Sequence, residues 1–295
     1  MRYAVVFAAD DSYIQHFCVC LKSLLVNNYD IPFEVYLLNK GISEQSNIYI
    51  QQIIQGHSAT FKNIIIDDSI FSELHTGVEH LNIAAYYRLA IPQLIDAERV
   101  LYLDSDMVVT DSLKELFEID FNDKYLLAIE EIGSRDFLDE EKKKLGMDID
   151  ARYFNSGVMM INCSKWREDG LCKKIIDWSI VNTEKISFAD QDGLNAVING
   201  TWKSISIRYN IQTSLLLKEK ITVEEKEAID KPCIVHYTGG YPNKPWFLAN
   251  TNPFKKEYWK YLKKTPFANY KPSDYKGFVF HRLWSPFKEK ILRLF

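Results

Sequence analysis

The feature that most constrains this chain is an alternation: short apolar runs rich in β-branched and aromatic residues recur between longer stretches with apolar residues at helical spacing. Residues 3–9, 34–38, 64–66 and 100–103 read as strands, and residues 14–26 and 44–54 as helices, the second behind Ser43 as N-cap. Runs this continuously apolar have no face for water, so the spacing predicts an α/β protein whose mostly parallel central sheet is covered by helices on both sides. Beyond Asp106 the pattern is mixed. Residues 125–129 and 154–161 read as strands, 139–144 as a charged stretch, 171–181 as a helix, and a further helix opens near Asp190. No Gly/Ser linker or tandem repeat interrupts the chain, which predicts one large domain over residues 1–254 and a C-terminal basic-aromatic appendage over 255–295.

Charge narrows the partners. The formal charge of −4 conceals an asymmetry: residues 255–295 hold 11 Lys or Arg against 3 Asp or Glu, leaving 25 basic against 37 acidic residues before them. A body that acidic repels polyanions, so no nucleic-acid partner is expected, and the basic tail points to a membrane surface instead. Cys18, Cys20, Cys163, Cys172 and Cys233 lack the paired spacing of a zinc or redox motif and read as buried, reduced thiols. The apolar run 4–9, stopped by Asp10 and Asp11, is too short for a secretory leader, and no uncharged run reaches the roughly 18 residues of a spanning helix. A cytoplasmic location follows as the expectation.

Ligands of open parallel sheets bind beyond the carboxyl ends of the strands. Three apolar runs end there in ionisable residues: 4–9 in Asp10 and Asp11, 100–103 in Asp104-Ser105-Asp106, and 233–235 in His236. On an extended backbone Asp104 and Asp106 point the same way and repel unless a cation or proton lies between them. A divalent metal resolves the repulsion, although acids beside the Thr110-Asp111-Ser112 turn also suit helix capping. His236, which alone would read as structural, opens a segment through Gly239, Gly240 and Pro242 to Lys244-Pro245-Trp246. That segment reads as a ligand clamp, since the glycines allow close backbone approach and Lys244 supplies a point charge for phosphate. Two carboxylates, an imidazole and phosphate oxygens suit octahedral Mn²⁺, with Mg²⁺ as the competitor. Asp190 and Asp192 suit the N-terminal dipole of their helix whatever the function. Asp190 and Gln191 are also candidates for holding a polyhydroxylated substrate.

With these residues in place, the chain resembles glycosyltransferase family 8, the retaining enzymes that include bacterial lipopolysaccharide galactosyl- and glucosyltransferases and, more distantly, glycogenin. The resemblance covers most of residues 1–250. It rests on Phe-Ala-Ala-Asp-Asp (7–11), Tyr-Arg-Leu (87–89), Leu-Tyr-Leu-Asp-Ser-Asp (101–106), Phe-Asn-Ser-Gly-Val (154–158), Asp-Gln-Asp (190–192) and His-Tyr-Thr-Gly with Lys-Pro-Trp (236–246), in that order. It implies a GT-A fold, a UDP-sugar donor, Mn²⁺ or Mg²⁺, and a glycan acceptor. By position it implies Asp104, Asp106 and His236 as metal ligands, Asp104 also near the ribose with Ser105 in the donor-binding set, and Gly239 and Lys244 on the diphosphate. It further implies Asp10 on uracil, Tyr13 stacked on that base, and Arg88, Asn155, Asp190 and Gln191 around the transferred hexose. Ser12 stands where the family commonly has Asn for a ribose contact. Two residues more than the commonest spacing separate Gly239 from Lys244, so Lys244 needs a bulged loop to reach phosphate.

The resemblance also implies retention of anomeric configuration, by double displacement or same-face attack. Gln191 is a neutral amide and a poor nucleophile, and Asp190 is expected on sugar hydroxyls, so same-face attack is favoured. In the tail, aromatic residues from Tyr258 to Trp284 interleave with lysines, and Phe287, Ile291, Leu294 and Phe295 share one face of a helix behind Ser285 and Pro286. That pattern also suits a terminal helix docked on the protein's own core, but the coincidence of cationic and aromatic residues favours an interfacial helix on the cytoplasmic face of a membrane. The expected acceptor is a lipid-linked glycan of cell-surface polysaccharide synthesis. Nucleotide-sugar pyrophosphorolysis or hydrolysis also uses strand-end acids and a metal, and a non-catalytic UDP-sugar-binding protein is a further alternative.

Overall fold

The computed structural model describes residues 2–74 and 83–275. The expected alternation appears as β1 (Tyr3–Ala8), α1 (Ile14–Asn27), β2 (Phe33–Asn39), α2 (Glu44–Ile54) and β3 (Ala59–Ile65), followed by β4 (Arg99–Leu103). Ser43 caps α2, its side chain accepting from the Ser46 amide. A seven-stranded sheet runs in the order β3-β2-β1-β4-β7-β6-β8, with β6 at Leu126–Glu130, β7 at Phe154–Asn162 and β8 at Lys203–Ser204. Only β7 opposes its neighbours, so the sheet is mostly parallel. This is the α/β architecture expected from the runs.

Alternate strand residues enter opposite cores, as a two-residue side-chain period requires. Val5, Phe7, Leu101 and Leu103 pack with α1 and α2 on one side, whereas Ala4, Val6, Val100 and Tyr102 pack on the other. That second side is built from the 3-10 helix Ile83–Ala90, α4 (Leu171–Val181) and α5 (Ala189–Ile198). Each fully buried Val, Leu or Phe contributes about 1.5–3 kcal/mol. All five cysteines are free and buried.

A second sheet, β5-β10-β9, joins Met107–Val109, Ile234–His236 and Ile211–Gln212. It carries His236 to the carboxyl end of β4. The register of β6 against β7 breaks between Leu127 and Ile129, freeing Ser156 and Gly157 from β6. Such irregularities re-aim the bulged strand. Here the Gly157 carbonyl accepts from the Asp104 amide at 2.9 Å and so fixes the first turn after β4.

The charged stretch 139–144 lies in α3 (Arg135–Leu145), capped by the Ser134 side chain and closed by Gly146 in the left-handed region. The start of the appendage is α6 (Lys255–Leu262). Tyr258 and Tyr261, expected among aromatics at a membrane, are instead buried with Leu262 against Val19, Val108 and Trp246. Their hydroxyls explain this placement: Tyr258 bonds His16 Nδ1 at 2.7 Å, and Tyr261 accepts from Asn27 at 2.7 Å. The sequence of alternating lysines and aromatics hides this because both patterns put an aromatic on one helical face. The interfacial helix expected after Ser285 lies outside the described residues. No helix among the described residues is long and apolar enough to cross a membrane.

Candidate active site

Asp104 and Asp106 leave the end of β4, and His236 ends β10, so two sheets deliver the three side chains to one point. One ligand atom from each lies within 4.8 Å of the others. His236 Nε2 is 3.4 Å from Asp106 Oδ1 and 3.8 Å from Asp104 Oδ2. Two carboxylates and an imidazole nitrogen converging in this way are a donor set that fits an octahedral divalent cation. The backbone makes room for it: a Cβ on Gly157 would fall 2.4 Å from His236 Cε1 and 2.8 Å from Asp104 Oδ2.

Electrostatics holds Asp106 ionised. Burial pushes the Asp106 carboxyl up, but Lys244 and His236 outweigh it and hold the group well below the usual carboxylate range. Lys244 reaches Asp106 directly and also donates to the Tyr237 carbonyl at 2.8 Å, so the longer loop after Gly239 does bring its ammonium to the site. Gly239 itself has φ 82°, a conformation that favours glycine.

Asp104 is tied from the other side. Arg88, carried by the 3-10 helix and 5% exposed, donates to Asp104 Oδ1 at 3.0 Å and lies 3.1 Å from Asp190 Oδ2. The Tyr102 hydroxyl also donates to Asp104 at 2.8 Å. Burial raises Asp190 to about 7 despite Arg88, and the nearby Asp104 charge adds to the rise. Ala189, just before it, sits at φ 45°. A non-glycine residue there costs about 1–3 kcal/mol, strain that aims Asp190 at Arg88. Asp192 takes the structural role instead, accepting from the Ser187 and Phe188 amides at 2.6 and 2.7 Å and from the Tyr153 hydroxyl. Both acids lie in the first turn of α5, and of the two Asp192 is the one that accepts from the amides preceding the helix.

Gln191 is spent on neighbours. Its Oε1 accepts from the Ser156 amide at 3.0 Å, and its Nε2 donates to Glu131 at 3.1 Å and to Tyr153 at 3.2 Å. Asn155 donates to Glu131 at 2.8 Å. These groups line a cavity of about 490 Å³, within the range of small-molecule sites.

All the site residues named from sequence line this cavity except Ser12. Ser12 stays at the rim, its amide and hydroxyl both donating to Asp10 Oδ1. Asp10 thereby starts α1, whose entry Tyr13 packs edge-on against Trp246. The Ser105 hydroxyl donates to the Ala8 carbonyl at 3.2 Å, pinning the Asp104–Asp106 turn to β1.

Sequence reading missed Glu131, Tyr102, Gly157 and Asn210. Glu131 was findable, because it follows the run 125–129 at a strand end. Burial pushes its carboxyl up, against the bonds from Asn155 and Gln191. It is positioned by Gln212, whose side chain accepts from the Ile132 amide and donates to the Glu130 carbonyl. Asn210 carries no local signal. It bonds His236 Nδ1 at 3.0 Å and Asn155 at 2.9 Å.

The chain matches the family model described as Glycosyl transferase family 8 over residues 4–249. It is 29% identical over 273 residues to General stress protein A of Bacillus subtilis, covering 88% of this chain and 93% of that protein. It is 28% identical over 261 residues to Glycosyltransferase GlyF of Streptococcus pneumoniae, covering 88% of this chain but only 61% of the longer relative. Among solved structures it resembles the galactosyltransferase LgtC in complex with donor and acceptor sugar analogs, with a TM-score of 0.78 and 27% identity over 93% of this chain and 99% of that one. This protein, with its GT-A-type sheet and acidic strand end, therefore belongs to glycosyltransferase family 8.

Proposed function

We propose that the protein transfers a hexose, galactose or glucose, from a UDP-sugar to a hydroxyl of a glycan acceptor with retention of configuration. The observation that carries this reading is the meeting of Asp104, Asp106 and His236 beside Lys244, in one cavity with Arg88, Asn155, Asp190 and Gln191. Asp104, Asp106 and His236 would hold Mn²⁺, or Mg²⁺ in its place. When bound, that ion neutralises charge on the diphosphate leaving group.

The chain's own residues do the rest. Lys244 exchanges its bond to Asp106 for a phosphate oxygen, and the glycine backbone at Gly239 lets the diphosphate approach. Asp10, Ser12 and Tyr13 face the nucleoside, with Ser105 at the turn beneath it. Arg88, Asn155 and Asp190 orient the hexose hydroxyls. Gln191, bonded on both amide atoms and uncharged, positions the anomeric centre rather than attacking it. Asp190, its carboxyl raised to about 7 by burial and engaged by Arg88, is not free to attack either. These observations support same-face attack, in which a β-phosphate oxygen accepts the acceptor proton. Isolation of a covalent glycosyl adduct on Asp190 would overturn that step.

The domain reading places catalysis in residues 1–254. It assigns residues 255–295 to a segment whose described part packs on that domain and whose end contacts the cytoplasmic face of a membrane. The basic excess of the segment supports this, and a lipid-linked glycan is then the acceptor class. Deleting residues 276–295 should release the protein from anionic liposomes while leaving UDP-sugar hydrolysis; retention on liposomes removes the membrane reading. The activity itself is tested by a screen of UDP-hexoses with Mn²⁺, reading UDP release and the anomer of the product. The likeness to LgtC makes UDP-galactose the first donor to try. Sugar-1-phosphate as product would point to pyrophosphorolysis or hydrolysis instead, and binding without turnover to a non-catalytic role.

A further inference from the structure

We propose that Asn210 is a positioning residue that decides which ring nitrogen of His236 carries its proton, through an amide relay whose direction is set by the backbone of Gly157. A backbone N–H can only donate. The one on Gly157 donates to Asn155 Oδ1 at 3.1 Å, which fixes the carbonyl end of that amide toward Gly157. The nitrogen end of Asn155 then faces Glu131 Oε2 at 2.8 Å. The same Asn155 Oδ1 accepts from Asn210 Nδ2 at 2.9 Å, so Asn210 must present its oxygen on the other side.

That oxygen lies 3.0 Å from His236 Nδ1. A carbonyl oxygen only accepts, so Nδ1 carries a hydrogen, and in the neutral ring Nε2 then keeps a lone pair. Nε2 is the atom that faces Asp106 and Asp104. Asn210 is 0% exposed and His236 4%, so bulk water does not compete for these bonds. With the relay reversed, Nε2 would carry the hydrogen and donate it to Asp106, and the trio would satisfy itself without a cation. Metal-bound histidines characteristically have their second nitrogen fixed by such a partner. In this chain the partner's direction traces to the glycine that also leaves space for the imidazole.

The consequence for metal rests on the metal-ligand reading above; the tautomer does not. The protein is labelled with ¹⁵N-histidine, and the ring signals of His236 are identified by their loss in His236→Gln and read without metal in mildly alkaline buffer. The expected result is a protonated Nδ1 and a bare Nε2, kept in Asn210→Asp, which retains an accepting oxygen, and lost in Asn210→Leu. Mn²⁺ alone, titrated with paramagnetic resonance detection of the free ion, should bind Asn210→Leu about 10- to 100-fold more weakly than the wild type. A wild-type His236 with its hydrogen on Nε2 and a bare Nδ1 overturns the relay. So does Asn210→Leu binding Mn²⁺ like the wild type. If Asn210→Leu does not fold, the wild-type and Asn210→Asp spectra decide. Should wild-type protein hold no Mn²⁺, the metal reading falls, and the ¹⁵N signals still judge the relay.

Discussion

Replacing Gly157 by Ala tests whether the site is built to the tolerance the structure implies. The new Cβ would lie 2.4 Å from His236 Cε1, 2.8 Å from Asp104 Oδ2 and 3.0 Å from Asn155 Oδ1. Carbon atoms at optimal contact are about 3.5–4.0 Å apart, so the imidazole must retreat by about 1 Å. It has nowhere to go, because Asn210 holds its Nδ1 and the neighbouring strands are buried. Overpacking of this kind costs about 1–3 kcal/mol of stability. A displacement of about 1 Å at a reacting site costs on the order of 100-fold in rate. Chemical denaturation reads the first, and Mn²⁺-dependent UDP release the second. Gly240→Ala serves as the stability control, since nothing lies within 4 Å of a Cβ there. A Gly157→Ala protein with wild-type stability and wild-type Mn²⁺ dependence would refute the packing argument and the ligand placement with it.

Two substitutions should alter the pH dependence of stability in opposite senses. Asp190 keeps its proton to about 7 in the folded protein but loses it near 3.8 when unfolded, so its contribution falls as pH rises between those values. At its steepest the fall is about 1.4 kcal/mol per pH unit, and Asp190→Asn should remove it, as denaturation midpoints across that window will show. His16 is pushed down to about 3 by burial, stacked on Trp246 at 3.5 Å. Its unfolded form takes up a proton below 6.5 that the folded form refuses, so stability falls as pH drops from about 6.5 to about 3. His16→Phe should flatten that acid limb in the same denaturation series. Leu262→Ala, at a position with no exposure, should cost about 2–5 kcal/mol in the unfolding of the full chain. A cost near zero there would show that α6 contributes nothing to the core.

Much of this was legible in the residues because open parallel sheets place their chemistry at strand ends. The runs before Asp10, Asp104 and His236 each stop where the sheet stops, so an ordinary search for polar residues after apolar runs finds them. The same search applied to residues 125–129 reaches Glu131. Asn210 and Gln212 are different. Asn210 precedes and Gln212 ends the two-residue strand β9, too short for any periodicity, and their work is defined by partners distant in sequence, His236 and Asn155 for the one, Glu130 and Ile132 for the other. Gly157 shows the same limit: its identity matters because His236, distant in sequence, occupies the space a side chain would need. Asp190 and Asp192 both suit the helix dipole in sequence, with Asp190 also a substrate candidate. They separate only when Arg88, folded in from the 3-10 helix, claims one, and the Ser187 and Phe188 amides claim the other.

The most direct measurement is anomalous diffraction from crystals of the full chain grown with Mn²⁺ and UDP. One manganese peak is expected, within bonding distance of a carboxylate oxygen from Asp104, another from Asp106 and Nε2 of His236, with the diphosphate on its open side next to Lys244. Manganese bound away from His236, with the imidazole turned into another part of the cavity, would contradict the account.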